Sequence, residues 1–291
     1  MSSNGINERQ NAEISIKMLA AQRQIYSEAK IYSKWVVFFS VIGPFLCAVL
    51  QAIFSSNDVI NATTYILSII GMFVSLFTNS TIEKKQNNAA YIQQLFDVKV
   101  YKIDWDKKLF GTQKSMNNLI ADKSKGICSN NQRKKQLKNW YPESYDSLPI
   151  KKAITECQKA NIYWDTNIRV LYRNVCCVVV LIMLVIIMAI GLIKNESVFM
   201  LICRLAFVIP LFYWLLDSAK SINKDVRRIE ELKNLLDDIS DKNMDEILEI
   251  QSGIFAHRKE CTLIPDWFYK VTQKNEENKM RDVAQIDTEN D

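Results

Sequence analysis

Histidine, glycine and proline are scarce in this chain: its 291 residues hold one His, seven Gly and five Pro. One His, with seven Cys at no metal-ligand spacing, leaves a zinc enzyme without ligands. So few Gly and Pro leave little room for tight turns, so a sheet-rich fold is not expected. No Walker A loop, GxGxxG or HxE…CxxC pattern occurs, which removes the ATPase, dehydrogenase and deaminase readings. Residues 1–33 are polar and lack the short apolar core and cleavage site of a secretory signal.

The chain is instead rich in long apolar runs. Its mean hydropathy is near zero only because charges fill the intervals between four such blocks. They run from Trp35 to Phe54, Val59 to Thr78, Val175 to Ile193 and Val198 to Leu216. Each approaches the roughly 20 residues a helix needs to cross hydrocarbon. The third carries no charge before Lys194, whereas Asn61, Thr63, Thr64, Tyr65, Ser68 and Ser75 interrupt the second.

Charge fixes the expected topology. The links at 55–58 and 194–197 are four residues each, and the first holds no basic residue. Residues 79–173 hold 18 basic and 9 acidic side chains, a net of +9, while residues 218–291 hold 12 and 17, a net of −5. The positive-inside rule then puts both termini and the 79–173 segment in the cytoplasm. The expected fold is an all-α membrane protein with four transmembrane helices in two hairpins and a helical cytoplasmic sensor region. The divisions are a cytoplasmic amphipathic helix over 1–34, a first hairpin over 35–78 and a basic cytoplasmic region over 79–173. A second hairpin covers 174–216, and 217–291 hold a long cytoplasmic helix and a C-terminal segment with a disordered tail.

Periodicity predicts helices over 8–33, 81–96 and 151–173. Ile14, Met18, Ala21, Ile25 and Ala29 form the apolar face of the first. Ile222, Val226, Ile229, Leu232, Leu236 and Ile239 recur at three and four residues after the fourth block, giving a helix with one apolar seam. Residues 97–150, with Gly111, Gly126, Pro142 and Pro149, are expected to be rich in loops.

Several segments together resemble a known family, the SMODS-associating four-transmembrane effectors of bacterial cyclic-oligonucleotide antiphage signalling (CBASS). They are INERQNAEISIKMLAAQRQIYSEAK before the first block, LFDVKVYKIDW at 95–105 and NWYPESYDSLP at 139–149. CQKANIYWDTNIRVLYR at 157–173 and HRKECTLIPDWFYK at 257–270 complete the set. The resemblance implies an effector, not an enzyme, lodged in the bacterial inner membrane. A neighbouring nucleotidyltransferase (a CD-NTase) makes a cyclic di- or trinucleotide; the effector binds it and damages the membrane, arresting growth. The expected partners are that nucleotide, the lipid bilayer and further copies of the chain, with no DNA or RNA polymer, cofactor or metal.

Candidate residues follow from side-chain chemistry. Arg133, Lys134 and Lys135, with Trp140 and Tyr141 just beyond, read either as a patch for anionic headgroups or as a cradle for a flat anionic ligand. Asn161, Trp164, Asp165 and Arg169 share a helical segment. An Asp165–Arg169 pair orders the helix on one reading; on the other, amide and carboxylate meet a base edge while Arg169 meets a phosphate. Arg258 is a further phosphate candidate, while lone His257 fits a hydrogen-bonded structural role. In the second block Asn61, Thr64, Ser68, Gly71, Ser75 and Thr78 form a small polar stripe. That stripe suits close helix packing or a pore wall. Arg204, inside the fourth block, snorkels outward or marks a permeation path. The competing functions are a constitutive channel or transporter subunit and a membrane scaffold without nucleotide gating.

Overall fold

The computed structural model of the chain describes residues 3–43, 46, 58–193, 195, 197–237, 243–269, 271 and 272. Every regular element among the described residues is helical. In order these are α1 (Ile6–Asn11), α2 (Glu13–Val37), a π-helical turn (Phe38–Ile42) and α3 (Asp58–Tyr101). Next come α4 (Lys107–Phe110), α5 (Asn117–Cys128), α6 (Asn131–Lys135) and a 3-10 turn (Glu143–Ser147). The chain continues with α7 (Ile150–Ile193), α8 (Val198–Asp237) and α9 (Met244–Glu260).

Local chemistry sets the ends of these helices. Asp106 caps α4 by accepting from the backbone N–H groups of Lys108 and Leu109, and Gly111 ends it at φ 76°. Asn130 caps α6 through the N–H of Arg133. A full capping box opens α9: Asn243 Oδ1 accepts from Glu246 N–H at 2.9 Å, and Glu246 Oε2 accepts from Asn243 N–H at 2.8 Å. The helix expected over 8–33 is interrupted at Ala12, which is extended at ψ 145°. Ser15 Oγ donates to the Arg9 carbonyl at 2.6 Å, occupying an acceptor the break leaves open. Ile14, just after that break, is 41% exposed, and the buried face passes through Ile16, Leu19, Ala20, Ile25 and Ala29.

The chain divides into two compact units. The first takes residues 1–29, 83–168 and 225–291. Its principal core gathers Ile6, Ile16 and Leu19 with Phe96, Val100 and Tyr101, then Leu137, Tyr141, Ile154, Cys157 and Ile247. A second cluster packs Ile162 against Ile229, Leu232 and Leu236 of α8 and Ile250 and Ile254 of α9. Burying each such aliphatic side chain contributes about 1.5–3 kcal/mol. The α8 seam is buried from Ile222 to Leu236, while Ile239 lies outside the described residues. Residues 97–150 carry more helix than their Gly and Pro content led us to expect, because α4 to α6 are short and individually capped or packed.

The second unit takes residues 30–82 and 169–224. Arg173 Nη1 donates to Asn223 Oδ1 at 2.9 Å, joining α7 to α8. The apolar stretch of α7 is largely exposed, and Ile150–Ile193 is the one helix among the described residues long and apolar enough to cross a membrane. The blocks 59–78 and 198–216 are helical throughout, within α3 and α8. Of the first block the structure describes only Trp35 to Gly43 and Leu46. There Trp35 is 53% exposed and stacks on Phe39 at 5.9 Å, beside Phe38.

Candidate functional site

The chemistry in the first unit concentrates on Asp97, which is fully buried in α3. A carboxylate cannot stay charged in an apolar core without donors around it. Three side chains supply them. Arg258 Nη1 donates to Oδ2 at 2.6 Å, Gln251 Nε2 to Oδ2 at 3.1 Å and the Tyr141 hydroxyl to Oδ1 at 2.9 Å. The network then spreads. Asn161 Nδ2 donates to the Tyr141 hydroxyl at 2.9 Å, and the Tyr101 and Tyr141 hydroxyls lie 2.8 Å apart. Gln251 Nε2 also reaches Gln94 Oε1 at 2.8 Å, and Gln158 Nε2 reaches Gln251 Oε1 at 3.1 Å.

Helical spacing puts these groups together. Gln94, Asp97 and Tyr101 are three and four residues apart on α3; Gln158, Asn161 and Asp165 repeat that spacing on α7. Gln251 and Arg258 are seven apart on α9. Tyr141 arrives from the segment before the 3-10 turn, where Gln10 pins it: its N–H donates to Gln10 Oε1 at 2.7 Å, and Gln10 Nε2 returns to its carbonyl at 3.1 Å.

The electrostatics follow from burial. Desolvation works against the charge on Arg258, but Asp97 and then Tyr141 outweigh it and leave the guanidinium more firmly protonated than usual. Burial, followed by Asp97 and its neighbours, pushes the hydroxyls of Tyr101 and Tyr141 well above the normal tyrosine value. His257, on α9, holds Asp165 Oδ2 through Nε2 at 2.7 Å. Desolvation pulls its pKa down, but the hydrogen bond to Asp165 and the neighbouring Cys261 prevail and raise it to about 9. A separate charged group sits on α2, where Glu28 binds Lys123 Nζ at 2.8 Å and also pairs with Lys85. Burial alone would raise Glu28; the two lysines more than reverse that and hold it below the ordinary carboxylate value.

Of the residues singled out from the sequence, Tyr141 and Arg258 bind Asp97, Asn161 joins them through the Tyr141 hydroxyl, and Asp165 on α7 pairs with His257, the residue before Arg258. Arg133 and Lys135 are exposed and Lys134 half-buried on α6, apart from that network. Trp140 is 38% exposed, whereas its neighbour Tyr141 is 1% exposed. Trp164 is half-buried on α7, and Arg169 is buried in the second unit. The stripe from Asn61 to Thr78 lies on α3, with Gly71 buried and Thr78 Oγ1 donating to the Val74 carbonyl at 2.5 Å. The side chains of Asn61, Thr64, Ser68, Ser75 and Arg204 lie outside what the structure describes. Asp97, Gln94, Gln251 and Tyr101 were not anticipated. Their signal was present as polar residues at core-facing helical positions.

The architecture defines an all-helical protein with at least one membrane-competent helix and a buried polar centre. The chain belongs to the SMODS-associating 4TM effector domain family, whose model matches residues 4–286. It is similar to a probable CBASS effector molecule of Bacillus cereus (strain VD146), 24% identical over 287 residues, covering 94% of this chain and 95% of that protein. No solved structure matches the chain. Membership makes it an effector domain of antiphage defence, and the family's four-transmembrane character agrees with the membrane-competent α7.

Proposed function

We propose that this protein is a cyclic-oligonucleotide-activated effector of antiphage defence that oligomerises and disrupts the bacterial inner membrane. The observation that carries this reading is the family match over nearly the whole chain, from residue 4 to 286. The four apolar blocks cross the membrane as two hairpins with both termini in the cytoplasm, and the first unit faces the cytoplasm. A cyclic di- or trinucleotide, made by the associated CD-NTase, binds the basic 79–173 region. There Arg133 and Lys135 are exposed and Lys134 half-buried on a short helix, available to phosphates, with exposed Trp140 close in sequence for stacking. Asn161, Trp164, Asp165, Arg169 and Arg258 remain candidates for reading the ligand after a rearrangement that opens the Asp97 network.

Four packed helices have a filled centre, so one subunit does not enclose a channel and disruption requires several copies. Ligand must then favour the assembling state by about 5.5 kcal/mol to move it from 1% to 99% of the population. The stripe from Asn61 to Thr78, with Arg204, would line the resulting path. Dye release from liposomes containing the full chain, titrated with a panel of cyclic di- and trinucleotides, tests the reading. Release by one nucleotide, lost in the Arg133→Ala, Lys134→Ala, Lys135→Ala variant, is the expected result. Release without nucleotide would point to a constitutive channel, and silence across the panel with insertion verified would favour a scaffold.

A further inference from the structure

The Asp97 centre joins α3, α7 and α9 through side chains that give up hydration on burial, where apolar groups of similar volume would pack without that loss. Its hydrogen bonding is also incomplete. Gln94 Nε2 and Gln158 Oε1 are buried with no partner among the described residues, so the centre keeps a spare donor and a spare acceptor. Tyr141 alone among its members comes from a non-helical segment. The Tyr141 ring lies 25° from the plane of Phe96 with centroids 6.3 Å apart, and 5.9 Å from the Tyr101 ring. Its hydroxyl donates to Asp97 Oδ1 at 2.9 Å, which leaves it to accept from Asn161 Nδ2 at 2.9 Å and from the Tyr101 hydroxyl at 2.8 Å. The slot around Tyr141 thus offers an aromatic face, one acceptor and two donors that converge on the polar edge of a flat ring. Its complement is a lactam edge, in which an N–H meets the carboxylate and the adjoining carbonyl oxygen takes both donors on its two lone pairs. Guanine and uracil carry such an edge; adenine instead sets an amino group beside a ring nitrogen with one lone pair.

The segment that delivers Tyr141 is fastened mainly by bonds that water can replace. Asn4 Nδ2 donates to the carbonyls of Tyr145 and Leu148 at 2.8 and 2.9 Å, and Asn11 Nδ2 donates to Asn139 Oδ1 at 2.7 Å. Asp146 Oδ1 accepts from the Asn7 N–H at 3.0 Å, beside the two bonds from Gln10. Tyr141 is the one buried side chain of residues 139–148, so the segment inserts a single ring into the interior. Segments held by partly exposed polar bonds open at lower free energy than a packed core. We infer that the slot filled by Tyr141 is a binding site for a lactam-bearing nucleobase, guanine or uracil, and that residues 139–148 and the α1 segment form its lid. The inference rests on the nucleotide-effector reading above and adds which base is read and where. In the resting protein the Tyr141 ring holds the base's place against Phe96, and its hydroxyl holds the place of the base edge. An entering base displaces the ring, donates its N–H to Asp97 Oδ1 and accepts from Asn161 and Tyr101. Arg258 and Gln251 remain on Oδ2 throughout and keep the carboxylate charged.

Equilibrium binding of cyclic di- and trinucleotides built from guanine, uracil or adenine to the detergent-solubilised full chain tests this, with amide hydrogen exchange read on the same samples. Nucleotides containing guanine or uracil are expected to bind at least about tenfold more tightly than adenine-only ones. Tyr141→Phe keeps the ring but removes the hydroxyl that holds it in the slot, so it should tighten binding about tenfold. A Tyr141 that itself contacted the ligand would give no such gain. Asn161→Ala removes a donor to the base carbonyl and should weaken binding by about the same factor. Bound nucleotide should also speed exchange of the Tyr141 amide, which rests on Gln10 Oε1 in the free protein. A folded Tyr141→Phe protein that binds no more tightly, or a Tyr141 amide that stays protected under saturating nucleotide, would overturn the slot. If nucleotide-triggered dye release persists alongside either result, the effector reading survives without it. Tighter binding of adenine-only nucleotides would overturn the assignment of the base. Absence of binding by every member of the panel to the folded wild type would overturn the effector reading and the slot together. Should Tyr141→Phe fail to fold, exchange at Tyr141 in the wild type decides.

Discussion

Replacing Arg258 by Met separates an architectural role for this side chain from a role in binding phosphate. Asp97 is fully buried, and Arg258 is its only cationic partner among the described residues. Removing one member of a buried ion pair strands the other, at a cost of about 3–5 kcal/mol. Tyr141 and Gln251 still donate to Asp97 in the variant, so the lower end of that range, about 3 kcal/mol, is expected. Urea or thermal unfolding of the solubilised full chain, followed by circular dichroism, measures it. Adding Asp97→Leu to Arg258→Met removes the stranded charge but leaves the Tyr141 and Gln251 donors without that acceptor, which costs about 1–3 kcal/mol. The double variant should therefore recover part of the loss, with a coupling energy within the 0.5–3 kcal/mol range, roughly, seen for residues in one network. An Arg258→Met protein within about 0.5 kcal/mol of wild type would refute the buried-pair argument. It would then free Arg258 for a ligand.

Stability should also respond to His257. Its pKa is raised from 6.5 to about 9, so its contribution is complete below pH 6.5 and is lost as pH rises through about 9. The full linkage is worth at most about 3 kcal/mol, and the fall in denaturation midpoint across that window should flatten in Asp165→Asn. Gly253→Ala should destabilise by about 1–3 kcal/mol, because a methyl group there collides with Leu232, itself packed between Ile229 and Leu236. Replacing Arg133, Lys134 and Lys135 together by Ala should leave the denaturation midpoint within about 0.5 kcal/mol of wild type, since α6 contributes no buried residue. A loss of nucleotide-triggered dye release in that variant then reports binding and not unfolding.

The α8 seam from Ile222 to Leu236 was legible in the sequence because apolar residues at three- and four-residue spacing have one economical use, to face a core. The same rule hid Asp97. Within LFDVKV it reads as one more charge on a helix, and its cationic partner lies 161 positions later. Periodicity identifies a face and says nothing of what meets it. The clue that went unread was Gln94, Asp97 and Tyr101 recurring on the face that Phe96 and Val100 flank, with Gln158 and Gln251 as matching intrusions on α7 and α9. Adjacent Trp140 and Tyr141 show the opposite limit. They are equivalent by composition, but a two-bond clasp by Gln10 turns one into the interior and leaves the other outside. A lone His257 reads as a hydrogen-bonded structural residue, and it is one, but local spacing points Asp165 toward Arg169 and not toward the His257 that binds it 92 positions away.

The first unit is assembled from three pieces of chain separated by the second. Its centre cannot exist on a partly synthesised polypeptide: Asp97 emerges from the ribosome 161 residues before the Arg258 that neutralises it. Tyr26 waits longer still, through 232 residues, for the Arg258 carbonyl at 3.4 Å. All four long apolar blocks have therefore been translated before the polar centre can close. A product that stops after the last of these blocks carries Asp97 without the Arg258 that neutralises it.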